Sequence, residues 1–266
     1  MISVVLNGYK RTEYLDLQIK SIKEQSIKVK EILIWQNYYK DFNNKIDKKI
    51  VHANCNQNLG VWSRFAFALN SNSNFICIFD DDTIPGKNWL KNCMECMNAK
   101  PALLGARGVR FASNKKYIVG QEFGWNNPND KIEKVDIVGH SWFFKREWLS
   151  TFWRELPSLK QSKYVGEDIH FSYVLKKYLN IDTYVPPHPK EDRSKWGSDP
   201  YYAMKIGTDK SAISYNAKRQ KEMDDTLIKY ISKGLKLQFL DELKLKGFYL
   251  KNKIKLSKII KKITNK

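Results

Sequence analysis

The chain has 266 residues, 42% hydrophobic and 13% aromatic, which is enough apolar material for the core of one large or two small domains. Only 13 Gly and 8 Pro occur and no period repeats, so collagen-like, mucin-like and repeat architectures are excluded. Lys and Arg number 47 against 28 Asp and Glu, and the resulting charge of +19 favours anionic partners. Apolar runs such as Phe75-Ile-Cys-Ile-Phe79 stop at five residues, far short of the roughly 20 that cross a bilayer. The N-terminal segment has no h-region or cleavage site, and a cytoplasmic location is the expectation. The four cysteines are too few for a disulfide framework. Cys93 and Cys96 form a CxxC with no second pair or nearby histidine to complete a zinc site, and they read as ordinary helix cysteines.

In chain order, Ile2 to Leu6 reads as a strand, Glu13 to Glu24 as a helix and Glu31 to Trp35 as a second strand. A helical pattern from Gly60 to Leu69 leads into Asn74 to Phe79, whose unbroken apolarity suits a strand covered on both faces. Ala102 to Gly105 and Lys134 to Val138 follow as strands, then helices near Arg146 to Phe152 and Glu167 to Leu179, then a last strand at Ile181 to Val185. Pro186 to Ile213, with its prolines and glycines, reads as loop. The alternation predicts an α/β fold with a mostly parallel central sheet. Residues 1–215 form one domain on this reading, and 216–266 form a basic helical extension. Within the extension, Leu243 to Lys266 carries nine lysines and no acid, with Leu245, Tyr249, Leu256, Ile260 and Ile263 at helical spacings. That pattern describes a basic amphipathic helix suited to an anionic membrane surface; a solubilising lysine tail is the plainer alternative.

Asp80-Asp81-Asp82 close the apolar strand at its C-terminal end, where open α/β sheets bind ligands. Three adjacent carboxylates raise the cost of ionising one another, and a hard divalent cation such as Mn2+ or Mg2+ relieves it while leaving positions open for diphosphate. The competing reading is a polar turn that caps the next helix with Asp82 or Thr83.

The segment Ile-Phe-Asp80-Asp81-Asp82-Thr-Ile-Pro resembles the DxD motif of nucleotide-sugar glycosyltransferases with the GT-A fold, in particular the family-2 and exostosin-like (family-64) groups. Four further segments agree in order. Asn7-Gly8-Tyr9-Lys10-Arg11 is similar to the turn after the first strand that embraces the nucleotide. Trp35-Gln36-Asn37 resembles the exostosin-like "VIVVWNN" segment, where family 2 would have Asp-Asp-Gly-Ser. Asn58-Leu59-Gly60-Val61-Trp62-Ser63-Arg64 is similar to "N-x-G-x-x-x-R" at the helix before the DxD strand, and Gly166-Glu167-Asp168 to the "ED" motif on the acceptor side. The resemblance covers about residues 2–190 and implies a Rossmann-like sheet flanked by helices.

It further implies a metal-dependent hexosyl- or N-acetylhexosaminyltransferase of polysaccharide biosynthesis. The implied donor is UDP-linked, and the acceptor is a hydroxyl on a glycan or lipid-linked saccharide. On this resemblance Asn7, Tyr9, Arg11, Gln36, Asn37, Arg64, Asp80 and Asp81 surround the nucleotide, and His140 and Trp142 lie beneath the donor sugar. Asp82, Asp80 and a late His188 are metal ligands, Asp168 is the base that accepts the acceptor proton, and Glu167 orients the substrate. Plainer roles compete: Arg11 and Arg64 as solvated charges, Asn7 as a turn residue, His140 and His188 as structural imidazoles, and Glu167 and Asp168 as acids at a helix N-terminus. The loop bearing Glu191, Asp192, Arg193 and Lys195 has the composition of a lid. Two other classes use related features: a basic nucleic-acid-binding protein and a metal-dependent nucleotidyltransferase. The acidic triplet and the lack of a nucleic-acid-binding signature argue against specific nucleic-acid recognition.

Overall fold

The computed structural model describes residues 1–9, 11–38, 45–207 and 217–238. Strand β1 (Ile2–Gly8) is buried at every position except Asn7, as expected of a strand covered on both faces. It pairs in parallel with β2 (Glu31–Gln36) on one side and β4 (Phe75–Phe79) on the other. The chain therefore winds outward from β1 through β2 to β3 (Val51–Asn54) and then returns to β1's opposite flank. This reversal leaves a crevice at the carboxyl ends of β1 and β4, the usual ligand position in such sheets. Beyond β4 come antiparallel β10 (Ser141–Lys145), then β5 (Leu103–Leu104), β11 (Thr183–Val185) and β8 (Glu133–Val135). Among the described residues this makes an eight-stranded, mostly parallel sheet of the predicted α/β class.

A second, antiparallel sheet places β6 (Arg107–Phe111) between β7 (Val119–Gly124) and β9 (Ile137–Gly139). The predicted strand Lys134 to Val138 is thus two strands in different sheets. The chain changes sheets at Asp136, whose buried carboxylate accepts hydrogen bonds from Phe111 N–H (2.8 Å) and Gln238 N–H (2.7 Å).

Seven helices complete the described body: α1 (Leu15–Lys23), α2 (Ser63–Phe67), α3 (Trp89–Ala99), α4 (Trp148–Phe152), α5 (Glu167–Leu179), α6 (Pro200–Gly207) and α7 (Ala217–Ser232). Helix α3 carries Cys93 and Cys96 as free thiols. Helix α6 corrects the predicted loop: Pro200 stands at its first position, where a missing N–H costs nothing, and Ala203 and Ile206 bury one face. None of the helices is long and apolar enough to cross a membrane. The predicted amphipathic helix from Leu243 onward lies outside the described residues.

Phe65 stacks on Phe152 (4.6 Å between ring centroids) and meets Phe171 edge-on (5.6 Å), so α2, α4 and α5 share one aromatic core against the sheet. Helix α7 joins it through buried Leu227 and Tyr230. His170 bridges the two layers, with Nε2 2.7 Å from the Phe152 carbonyl and Nδ1 2.7 Å from the Tyr230 hydroxyl. Burial pushes this imidazole down to about 4, so it is neutral at pH 7. Because a carbonyl only accepts, Nε2 carries the proton and Nδ1 accepts from Tyr230. Tyr230→Phe would orphan that nitrogen at a cost of about 1–3 kcal/mol. Thermal denaturation should show Tm falling by about 2–4 °C for each kcal/mol, while Tyr201→Phe on the exposed face of α6 leaves it unchanged.

Candidate active site

The crevice is held together by arginines. Arg64, on α2 and only 3% exposed, donates from Nη1 to Asp80 at the end of β4 and from Nη2 to Glu167 in the first turn of α5 (2.5 Å). Its guanidinium lies 4.3 Å from the Trp142 ring centroid and 5.7 Å from that of Phe65. Burial works against the charge, but the Asp80 and Glu167 carboxylates outweigh it and keep the guanidinium protonated. Arg11, beyond β1, donates from Nη1 to Asp81 Oδ1 (2.9 Å) and Asp82 Oδ2 (3.3 Å), and Asp81 Oδ2 also accepts from Tyr9 N–H (3.0 Å). The turn after β1 is therefore stapled to the turn after β4.

Desolvation raises the pKa of Asp81 and Asp82, and their neighbouring carboxylates add to the rise. Glu167 is raised by burial and by adjacent Asp168, against the pull of Arg64. Asp168 is likewise raised by burial, offset by the 2.7 Å hydrogen bond from Ile169 N–H and by Arg64. Gly166 opens α5 with φ 93°, a left-handed conformation that turns the chain so that both acids enter the crevice.

These carboxylate oxygens are hard donors of the type that Mn2+ or Mg2+ takes, but among the described residues no three His, Cys, Asp or Glu side chains converge on one metal position. His188 does not belong to that set. It is fully buried between Trp89 and Trp196, its Nδ1 lies 2.8 Å from the Pro186 carbonyl, and its Nε2 accepts from Gly197 N–H (3.0 Å). Both ring nitrogens are used, which corrects the reading of His188 as a metal ligand.

Other predicted residues divide in the same way. Asn37 spends its amide on Asn58 Oδ1 and the Gly60 carbonyl (both 3.1 Å) and on Leu59 N–H (2.8 Å), so it staples the loop before α2 instead of facing a nucleotide. Trp142 is 2% exposed with its face under Arg64; it supports that guanidinium and offers no surface to a sugar. Asn7 and Gln36 keep unused capacity: Asn7 Oδ1 and both polar atoms of the Gln36 side chain find no partner among the described residues. Gln36 lies across Gly8, where a Cβ would come within 2.4 Å of its Oε1, so the glycine makes room for this side chain.

Sequence reasoning missed Arg107, Glu122 and Trp125, which the small sheet brings beside His140. Arg107 donates to Glu122 (2.9 Å) across β6 and β7, and Trp125 meets His140 with ring centroids 5.3 Å apart. The alternation of Arg107 and Val109 with Glu122 on the paired strand was the available signal, but it is too short to stand out.

The profile of the family described as Glycosyl transferase family 2 matches residues 3–155, more than half of the chain, and the chain belongs to that family. It is similar to the crystal structure of S. aureus TarS at 14% identity and TM-score 0.46, over 70% of this chain and 36% of that one. It is also similar to S. aureus TarS 1–349 in complex with UDP at 15% identity and TM-score 0.47, over 69% of this chain and 59% of that one. The chain thus spans less than two thirds of either structure. No curated protein matches it.

Burial and its acidic neighbours push Asp82 up to about 6 from 3.8, so the fold loses stability as pH rises through that interval, where the unfolded chain ionises first. With divalent metal chelated, Asp82→Asn should raise Tm at pH 7.5 by about 2–4 °C, equivalent to about 1 kcal/mol. The gain should vanish near pH 4 in a melting series across pH.

Proposed function

We propose that the chain transfers a sugar from a nucleoside-diphosphate donor to a hydroxyl of a glycan or lipid-linked acceptor. The observation that carries this reading is the shared guanidinium of Arg64, which links Asp80 at the strand end to Glu167 beside Asp168. Donor-side and acceptor-side carboxylates are thereby held in one rigid unit, as glycosyl transfer between two bound substrates requires.

In this reading Asn7, Gln36 and the Tyr9 turn receive the nucleoside, with uridine the base the family resemblance implies. Asp80 and Asp82 would hold Mn2+ or Mg2+, which when bound neutralises charge on the departing diphosphate. Asp168 accepts the proton of the acceptor hydroxyl as its oxygen bonds to C1, while the C1–O bond to the β-phosphate breaks and its electron pair leaves with the nucleoside diphosphate. Glu167, fixed by Arg64, keeps Asp168 and the acceptor in register. A base on the face opposite the leaving group inverts the anomeric centre, and family-2 membership supports inversion over the retention that the exostosin-like segment would imply.

Asp168 must be ionised to act as base. Its carboxyl is pushed up to about 6, so kcat/KM should climb as pH rises through that value. A panel of nucleotide sugars with Mn2+ should yield released nucleoside diphosphate. Asp168→Asn should lower kcat by about 10²–10⁴ and remove the acid limb of the profile. A nucleotidyltransferase would instead release inorganic pyrophosphate from a nucleoside triphosphate offered together with a sugar 1-phosphate, whose phosphate oxygen attacks the α-phosphorus.

We place the enzyme on the cytoplasmic face of a membrane, where the nine lysines of Leu243 to Lys266 meet anionic lipid at about 1 kcal/mol each near the surface. Co-sedimentation with anionic liposomes should fall sharply when Leu243 to Lys266 is deleted and when salt is raised; binding that persists without this segment would refute the placement.

A further inference from the structure

Beside His140 a group of polar atoms is buried without partners among the described residues. Arg107 Nε, Glu122 Oε1, Trp125 Nε1 and His140 Nδ1 are all in this state, although Arg107 and Glu122 are joined to each other through their remaining atoms. Buried orphans of this kind are costly, and a cluster of four in one place calls for an explanation. The four side chains are contiguous: Arg107 lies 5.9 Å from the Trp125 ring centroid, and Trp125 in turn packs against His140. Trp125 (φ 43°) and His140 (φ 62°) also both hold left-handed backbone, a strained conformation for aromatic residues that gathers at working sites.

This wall is tied directly to the carboxylate turn. The His140 carbonyl accepts from Asp80 N–H (3.0 Å) and from Thr83 Oγ1 (3.1 Å), so it moves with the residues placed at the diphosphate. Its unused atoms have a definite chemistry. Arg107 Nε and Trp125 Nε1 only donate, Glu122 Oε1 only accepts, and the neutral His140 nitrogen does either according to tautomer. Sugar hydroxyls donate and accept at once and match all of them. A sugar carboxylate only accepts, and it would lie beside Glu122 and Asp168. Neither guanidinium here is spare to balance it, since Arg64 is shared by Asp80 and Glu167 and Arg107 is paired with Glu122.

We infer that Arg107, Glu122, Trp125 and His140 select the donor sugar, accepting an uncharged, hydroxyl-rich saccharide and rejecting a uronate. This rests on the glycosyl-transfer reading above and deepens it by naming the substrate class. Arg107, Glu122, Trp125 and His140 are each half-buried, so the wall they form is partly open to a ligand.

The test is calorimetric titration of the full chain, with Mn2+, against UDP, four neutral UDP-sugars (glucose, galactose and their N-acetylamino forms) and UDP-glucuronate. The wild type should bind its best neutral donor at least about tenfold more tightly than the uronate. Glu122→Gln should shrink that ratio to about twofold, and Arg107→Met should weaken the neutral donor by about tenfold. UDP itself should bind both variants within about twofold of wild type, which reports an intact fold and nucleotide site. Equal wild-type affinity for neutral and uronate donors overturns the inference, as do variants that weaken UDP and the neutral donor by the same factor. Failure of the wild type to bind UDP at all overturns the glycosyl-transfer reading and this inference together, whereas UDP binding without sugar discrimination overturns this inference alone.

Discussion

Everything in the crevice depends on one buried cation. Taking a guanidinium and two carboxylates out of water costs several kcal/mol per ion, and only tight mutual hydrogen bonding offsets it. Arg64 does this by serving Asp80, 16 residues away, and Glu167, 103 residues away, from the two sides of one planar group. The tryptophan and phenylalanine beneath it fix the plane, so the end of β4 and the start of α5 cannot shift independently. A lysine in its place would be a single point charge and could not hold two carboxylates in a defined mutual orientation.

The three consecutive aspartates, alike in sequence, are made unlike by their partners. Asp80 belongs to Arg64, Asp81 is divided between Arg11 and the Tyr9 backbone, and Asp82 shares Arg11 while standing near the end of α6. Asp81 is held more tightly than Asp82, by Arg11 (2.9 Å) and the Tyr9 N–H (3.0 Å), whereas Asp82 accepts longer contacts from Arg11 and the Thr83 hydroxyl (both 3.3 Å). The repulsion built into the triplet is therefore partly absorbed by arginines from the protein, and burial and acidic neighbours still raise Asp81 and Asp82. This local excess of negative charge exists in a chain that carries +19 overall, so the long-range field draws anions inward while the site itself favours a cation.

The strands that build the floor of the crevice were legible because they are buried on both faces and their apolar runs are unbroken, as in Val4-Val5-Leu6 and Phe75 to Phe79. The order of the motifs located Arg64, Asp80 and Glu167 in one place. The small sheet was not legible: β7 is exposed or half-buried along most of its length, and β6 holds Gly108 and two arginines, so neither shows a strand's usual pattern. Helix α6 was hidden by the proline that starts it. His188, Asn37 and Trp142 failed for a different reason. Residue type states how many hydrogen bonds a side chain can make, but only tertiary structure states which are already spent.

That distinction separates structural from working residues more sharply here than residue type does. Three imidazoles are pushed down to about 4 by burial, yet His170 and His188 have both nitrogens engaged and knit elements together, whereas His140 keeps one unused beside Asp80. Gln18 and Gln25 spend their amides on backbone carbonyls around the Asp80 turn and the start of α3, while Gln36 spends neither polar atom. Asn37 is saturated and Asn7, opposite Trp35 across the β1–β2 pair, is not. Orphaned serine and tryptophan atoms are scattered through the core as well, so orphaning alone does not mark a site. What marks it is orphaning among strongly polar side chains that converge on the ends of β1 and β4. A fold that satisfied Gln36, His140, Arg107 and Glu122 internally would be more stable, and these side chains would have no polar atoms left to offer the donor we propose.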